Sequence, residues 1–387
     1  MLRLITIVVL VHVYIGWRLI ADLPCGAGAA IAMIFLLVLS ASAMPFGEFA
    51  RRSKHSPMSD HLAGAGFVAM GFFSSLLVLT LMRELILLAA AAASIWLSGQ
   101  EALLHQLHVW SAAAVPVVAL FLTFVGFINA RRRAVVRNVD VPIAGLPAQL
   151  HGFSIVQISD IHVGTTIKNG YVSRIVDAVN ALDADMIAIT GDLVDGSVQR
   201  LSSHTQPLRQ LAARHGTFFV TGNHEYYSGA QPWIDELRRL GVQVLVNQHV
   251  VLRHPAVEAG SPGASLVVAG VADFSAHHFM ESHRSDPDAA LKGAPADVHT
   301  RLLLAHQPRS AQAAAQAGFQ LQLSGHTHGG QIWPWNHFVR YQQPFTVGLN
   351  RLHQLWVYTN SGTGYWGPPK RFGVPSEITH LRLVAAS

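Results

Sequence analysis

Residues 4–21, 27–45, 62–82 and 111–129 of this 387-residue sequence are apolar almost throughout, each close to the roughly 20 residues that a helix needs to cross hydrocarbon. The first third of the chain is therefore expected to lie in lipid as about four spans. The overall make-up agrees: 51% of residues are hydrophobic and only 13% charged, too apolar for a soluble protein throughout. The third stretch runs on to about Leu97 across Arg83-Glu84. One long tilted span, or a span followed by an interfacial helix, fits that pattern, because Leu85 to Leu97 is too short to cross alone. A cleavable signal peptide is disfavoured by the spans that follow and by the lack of a small-residue cleavage pattern near Leu23 to Ala27.

Charge sets the expected orientation. Residues 1–150 hold ten of the 27 Lys+Arg and six of the 22 Asp+Glu, leaving seventeen against sixteen for residues 151–387. The basic excess thus belongs to the membrane part, which argues against a nucleic-acid partner, since such a binder concentrates its positive charge on the folded domain. Arg51, Arg52 and Lys54 follow the second span, and Arg131, Arg132, Arg133 and Arg137 follow the fourth. By the positive-inside rule both loops are cytoplasmic, and an even number of spans puts both termini there. The arginine triplet also suits anionic lipid, although a topology signal is the plainer reading. Cys25 is the single cysteine, so disulfides and thiol-rich zinc sites within the chain are excluded.

From His151 the pattern changes to short β-rich runs with helical stretches between them, the alternation of an α/β domain. The runs are 153–158, 186–190, 218–221, 266–271, 302–305, 321–323, 355–358 and 378–384. Between the first two, apolar residues at 172, 175, 176, 179 and 182 predict a helix over Tyr171 to Leu182. Ala259 to Ala264 reads as a turn. These readings divide the chain into a transmembrane region, 1–137, and an α/β domain, 150–387.

Seventeen of the 22 histidines follow residue 150, several of them beside Asp, Asn or Gly at the ends of apolar runs, the distribution expected of a metal site. Asp160 and His162 can point the same way from an extended segment. Asp192, on a glycine turn with Asp195 three residues later, can bridge two cations. Gly222-Asn223-His224-Glu225 turns the backbone sharply and presents an amide oxygen beside an imidazole. His326 and His328, at i and i+2 between glycines, can give one nitrogen to each of two ions. His306 is the least specific, since a histidine at a strand end is usually just hydrogen-bonded. All five segments stand at strand ends, where open α/β sheets gather ligand-binding groups.

In this order the segments resemble the calcineurin-like metallophosphoesterase superfamily, whose signatures run D-x-H, G-D-x-x-D, G-N-H-[DE], H and G-H-x-H. The resemblance implies two mixed β-sheets packed face to face with flanking helices. It also implies roles: Asp160, His162 and His328 on one metal, Asn223, His306 and His326 on the other, Asp192 bridging, and His224 as the non-ligand imidazole that protonates the leaving oxygen. Asp195 and Glu225 match motif positions as supports. Gly270-Val271-Ala272-Asp273, His306-Gln307-Pro308, Gly329-Gly330-Gln331 and Ser361 to Gly367 look like a bacterial branch whose members are often membrane-associated, similar to envelope phosphodiesterases and UDP-diacylglucosamine hydrolases of lipid A synthesis; a multi-pass place in the inner membrane is expected for this chain.

Two divalent cations, for which manganese, iron and zinc all suit such nitrogen and oxygen donors, would lower the pKa of a bound water and supply hydroxide to attack phosphorus in line. No Ser, Cys or Lys nucleophile is then needed. The expected partners are membrane lipid and a lipid-linked phosphodiester or pyrophosphate. Arg309, Lys370 and Arg371 are candidate phosphate clamps, each otherwise a surface charge. Trp333, Trp335, Phe338 and Trp366 either line a lip for acyl chains or pack the loops. Two rival readings are a catalytically silent, membrane-tethered binding module and the regulatory domain of a transporter. No ligand position is missing, against the first, and most ionisable residues of the spans sit near span ends, against the second.

Overall fold

The apolar stretches form four helices in the computed structural model, which describes residues 2–24, 26–52, 57–96, 99–255, 263–298 and 300–386. Cys25, Lys54 and most of the 259–264 turn lie outside the described residues. The helices are α1 (Leu2–Ile20), α2 (Gly26–Arg52), α3 (Pro57–Ser94) and α4 (Glu101–Arg131). The last three are long and apolar enough to cross a membrane, whereas the apolar part of α1, Ile5–Ile20, is shorter. Ile15, Leu19, Met33, Leu37, Phe72, Leu76, Val115 and Ala119 form their common core. Gly47 and Gly66 let α2 and α3 approach backbone to backbone: a Cβ on Gly66 would lie 2.6 Å from the Cα of Gly47, a small-residue contact of the kind that replaces the hydrophobic effect inside lipid.

α3 passes through Arg83-Glu84 without a break. Neither residue breaks a helix, and both charges are matched locally. Arg83 is buried and donates to the Ser111 hydroxyl (2.9 Å), Glu84 (3.0 Å) and the carbonyls of Arg18 (3.1 Å) and His108 (3.2 Å). It also pairs with Asp22, while Arg18 pairs with Glu84.

The chain divides into two units, residues 1–131 with 367–372, and residues 132–366 with 373–387. The first division falls earlier than the expected limits of 137 and 150, because residues 135–143 form a strand of the second unit. Residues 367–372 group with the helices: Lys370 donates to the Gly71 carbonyl (2.9 Å) and to the Ser75 hydroxyl, and the Arg371 N–H donates to the Gly126 carbonyl (2.9 Å). Lys370 and Arg371, considered above as phosphate clamps, are buried in these contacts instead.

The second unit holds two six-stranded mixed sheets. One has the order β1 (Val135–Ile143), β12 (Glu377–Ala385), β2 (Ser154–Ile158), β3 (Met186–Ile189), β4 (Thr217–Phe219), β5 (Gln243–Val244). The other runs β10 (Gly348–Leu352), β11 (Leu355–Thr359), β9 (Leu321–Ser324), β8 (Thr300–Leu304), β7 (Ala264–Gly270), β6 (Gln248–His254). Strands β2 to β5 pair in parallel, as do β7, β8, β9 and β11; β2 with β12, β6 with β7 and β10 with β11 pair antiparallel.

Alternation places the core. Leu266 and Val268, Leu302 and Leu304, and Leu321 and Leu323 turn inward and meet Ile155, Met186, Ala188, Phe218, Leu381 and Leu383 of the opposite sheet. The intervening Val267, Ala269, Leu303 and Val357 face outward onto a second core that includes Ala290, Ala311 and Ala314 from short helices. Over the first sheet's connections, α5 (Asn169–Asn180) buries Val172, Ile175, Val176 and Val179, the stripe expected from the sequence. Because the central strands are parallel within each sheet, their C-terminal ends release five loops at one end of the sandwich.

Candidate metal centre

Those five loops carry the candidate ligands. Asp160 and His162 follow β2, Asp192 follows β3, Asn223 opens the short helix Asn223–Ser228 after β4, His306 follows β8, and His326 and His328 follow β9. Five of the seven, Asp160, His162, Asp192, His326 and His328, have φ between 50 and 71°, a region costly for any residue with a Cβ. Strain repeated at these positions shows side chains held where the local backbone would not put them. Glycines give the room: a Cβ on Gly222 would lie 2.2 Å from Asp192 Oδ1, and one on Gly325 would lie 2.2 Å from Asp160 Oδ2.

Two clusters result. Asp160, His162 and His328 form one, and Asp192, His306 and His326 the other, with the donor atoms of each within 4.8 Å of one another. His162 Nε2 faces His328 Nε2 at 3.0 Å, and His328 Nε2 lies 3.5 Å from Asp160 Oδ1. His306 Nδ1 donates to the Thr190 carbonyl (2.7 Å), which leaves its Nε2 lone pair facing both His326 Nδ1 and Asp192 Oδ2 at 3.2 Å. Lone pairs set against lone pairs require a shared proton or a cation. Asn223 Oδ1, next in sequence to His224, is buried without a hydrogen-bond partner among the described residues, as an oxygen reserved for a ligand would be. The donor set, all imidazole, carboxylate and amide, fits divalent cations.

The supporting residues explain the precision. Asp195 Oδ1 accepts from His162 Nδ1 (3.1 Å) and His224 Nδ1 (2.5 Å), so one carboxylate aims the Nε2 atoms of both rings inward. Burial would raise the Asp195 pKa, but the two imidazoles hold it well below the usual carboxylate range. Glu225 is fully buried and accepts from the N–H groups of Gly222 (2.6 Å), Leu193 (2.8 Å) and Asp192 (3.0 Å), stapling two ligand loops together. Its pKa is pushed up to about 8 by burial and by Asp192.

His224 is partly exposed, with Nε2 3.9 Å from Asp192 Oδ2. Burial disfavours its charged form, but Asp192 and the Asp195 hydrogen bond outweigh that and raise its pKa to about 9. The same distances group His224 with His162 and Asp192. Arg309 is drawn to the Gln342 carbonyl (2.8 Å) and lies over Phe274 (5.3 Å). Gln331 and Tyr227 were given no role in the sequence reading, yet both bear on the site. Gln331 is bonded to the Trp366 backbone, and the Tyr227 ring lies 5.2 Å from that of His224. For Tyr227 the available signal was its spacing, one helical turn after His224.

Fold and donor set together define an α/β protein whose clustered side chains could hold divalent cations where the strands of a two-sheet sandwich end. Residues 153–330 match the Calcineurin-like phosphoesterase family. The chain is 38% identical over 279 residues to a transmembrane protein with metallophosphoesterase domain of Danio rerio, covering 70% of this chain and 63% of that protein. It is 41% identical over 281 residues to the protein of the same description from Bos taurus, covering 71% and 62%. An uncharacterized metallophosphoesterase of Campylobacter jejuni is 35% identical over 272 residues, covering 69% and 68%. The chain belongs to the calcineurin-like phosphoesterase family, and with its apolar helices it is a membrane-associated member. It spans under two thirds of the length of the two vertebrate relatives.

Proposed function

We propose that this chain is a membrane-bound two-metal phosphoesterase that hydrolyses a phosphodiester or pyrophosphate bond of a lipid-linked or envelope substrate, with its catalytic unit on the cytoplasmic side of the inner membrane. The observation that carries this reading is the pair of opposed donor clusters beside His224, with Asp192 belonging to one and within reach of the other through His162 (3.9 Å). Asp160, His162 and His328 would hold one cation, Asn223, His306 and His326 the other, and Asp192 both. Cations held there would supply charge neutralisation at phosphoryl oxygens and a water acidic enough to ionise near neutral pH.

The rest of the chemistry belongs to the chain's own residues. Asp195 fixes the His224 ring through Nδ1 and leaves Nε2 to hold a proton and give it to the departing oxygen. Glu225 keeps the Asp192 and Asn223 loops in register without meeting substrate. A lipid-linked substrate is supported by the apolar helices, since an enzyme confined to a bilayer meets lipid at high effective concentration. Arg131, Arg132 and Arg133 at the C-terminal end of α4 support the cytoplasmic orientation.

The test is hydrolysis of bis(p-nitrophenyl) phosphate by the full chain in detergent with added manganese, beside Asp192→Asn and His326→Ala. Metal-dependent cleavage that both substitutions reduce at least a hundredfold is expected. Cleavage by the two variants at the wild-type rate would sink the assignment.

A further inference from the structure

Two aromatic rings pack edge-on against His224 and remain half open to solvent. Tyr227 lies 5.2 Å from the imidazole and is 62% exposed; Trp366 lies 6.0 Å from it and is 54% exposed. Phe279, 50% exposed, extends the surface 5.5 Å beyond Tyr227.

Trp366 is moreover fixed in place. Gln331 donates through Nε2 to the Trp366 carbonyl (3.0 Å) and accepts at Oε1 from its N–H (2.9 Å). Gln331 is itself buried and takes φ 54°, a conformation that costs energy for a side-chain-bearing residue. Backbone strain is thus spent three residues after His328 to lock the main chain under a ring that stays half exposed. Among the described residues no arginine or lysine stacks on Tyr227, Phe279 or Trp366, so the surface offers apolar area without fixed positive charge.

We propose that Tyr227, Trp366 and Phe279 form a subsite for the apolar part of the departing alcohol, which makes the substrate an amphipathic phosphodiester whose leaving group, rather than its retained group, is recognised by aromatic contact. This rests on the reading of His224 as proton donor. Hydrolysis forms a P–O bond to water and breaks the P–O bond to the alcohol. The alcohol oxygen takes the proton from His224 Nε2, and the proton lost by water restores the imidazolium. A ring pair beside that imidazole is placed for the leaving group rather than for the retained group. Gln331 is a positioning residue for Trp366.

The experiment uses the full chain in phosphatidylcholine nanodiscs with manganese and three methyl phosphodiesters. Their leaving alcohols, ethylene glycol, 1-octanol and 2-naphthylmethanol, have similar acidity, and release of methyl phosphate is followed. The ratio of kcat/KM for the naphthylmethyl ester to that for the glycol ester should be at least about tenfold. It should fall about tenfold in Trp366→Ala and in Tyr227→Ala, mostly through KM, and should fall also in Gln331→Ala, which keeps both rings. A flat series, a ratio unchanged in the variants, or cleavage of bis(p-nitrophenyl) phosphate without any of the three esters overturns the subsite while leaving the phosphoesterase reading intact. Failure to cleave any diester, bis(p-nitrophenyl) phosphate included, overturns both.

Discussion

At the scale of single residues the centre depends on imidazoles whose second nitrogen is already committed. His306 donates Nδ1 to a backbone carbonyl, and His162 and His224 share Asp195. Those commitments separate the roles. His224→Ala should lower turnover about 10²- to 10⁴-fold, the usual worth of a general acid, with metal content unchanged by elemental analysis; loss of metal in that variant would make His224 a ligand instead. A second prediction concerns its proton. In chelated protein His224 should titrate at about 9, a value raised above that of the unfolded chain. Its contribution to stability is then complete below about pH 6.5 and is lost as the pH rises through the folded value. Zinc bound beside Asp192 removes the attraction and adds repulsion, so the NMR titration of His224 should move downward on zinc addition. An unmoved titration would place the cation elsewhere.

At the scale of elements, α3 shows how a helix carries charge through an apolar environment: Arg83 is held by groups from the ends of α1, from α3 and from α4. Arg83→Met would leave Asp22 and Glu84 short of a partner and should cost about 3–5 kcal/mol, read as a lowered midpoint in thermal denaturation of the detergent-solubilised protein. A midpoint within error of wild type would show the network to be solvated. The same scale explains what the sequence disclosed. All eight strands read from it are present, and the four it did not disclose, β1, β5, β6 and β10, are the edges of the two sheets. An edge strand is covered on fewer sides, so β1 and β10 carry Arg137, Asn138, Asp140, Asn350 and Arg351 among few fully buried positions, and periodicity alone does not mark them. The loops that carry the candidate ligands were legible because glycine turns and potential metal-ligating side chains sit next to each other in sequence, and the fold brings them into clusters. The Gln331 clamp was not, because it joins residues 35 apart through a backbone angle no sequence pattern announces.

At the scale of the whole molecule, the chain joins four apolar helices to a two-sheet unit that carries the candidate metal ligands. The charge division agrees: the net +5 comes mostly from residues 1–150, where ten basic residues face six acidic ones. Under the proposed function, membrane residence would restrict which esters the site meets, and the donor clusters what it does to them. The most direct test of this account is metal stoichiometry by elemental analysis of the full chain after manganese loading and desalting, in wild type, His328→Ala, His326→Ala and Asp192→Asn. The account predicts two ions per chain in wild type, one in each histidine variant, and weakened retention of both in Asp192→Asn. A single ion in wild type, or two retained in all three variants, would contradict it.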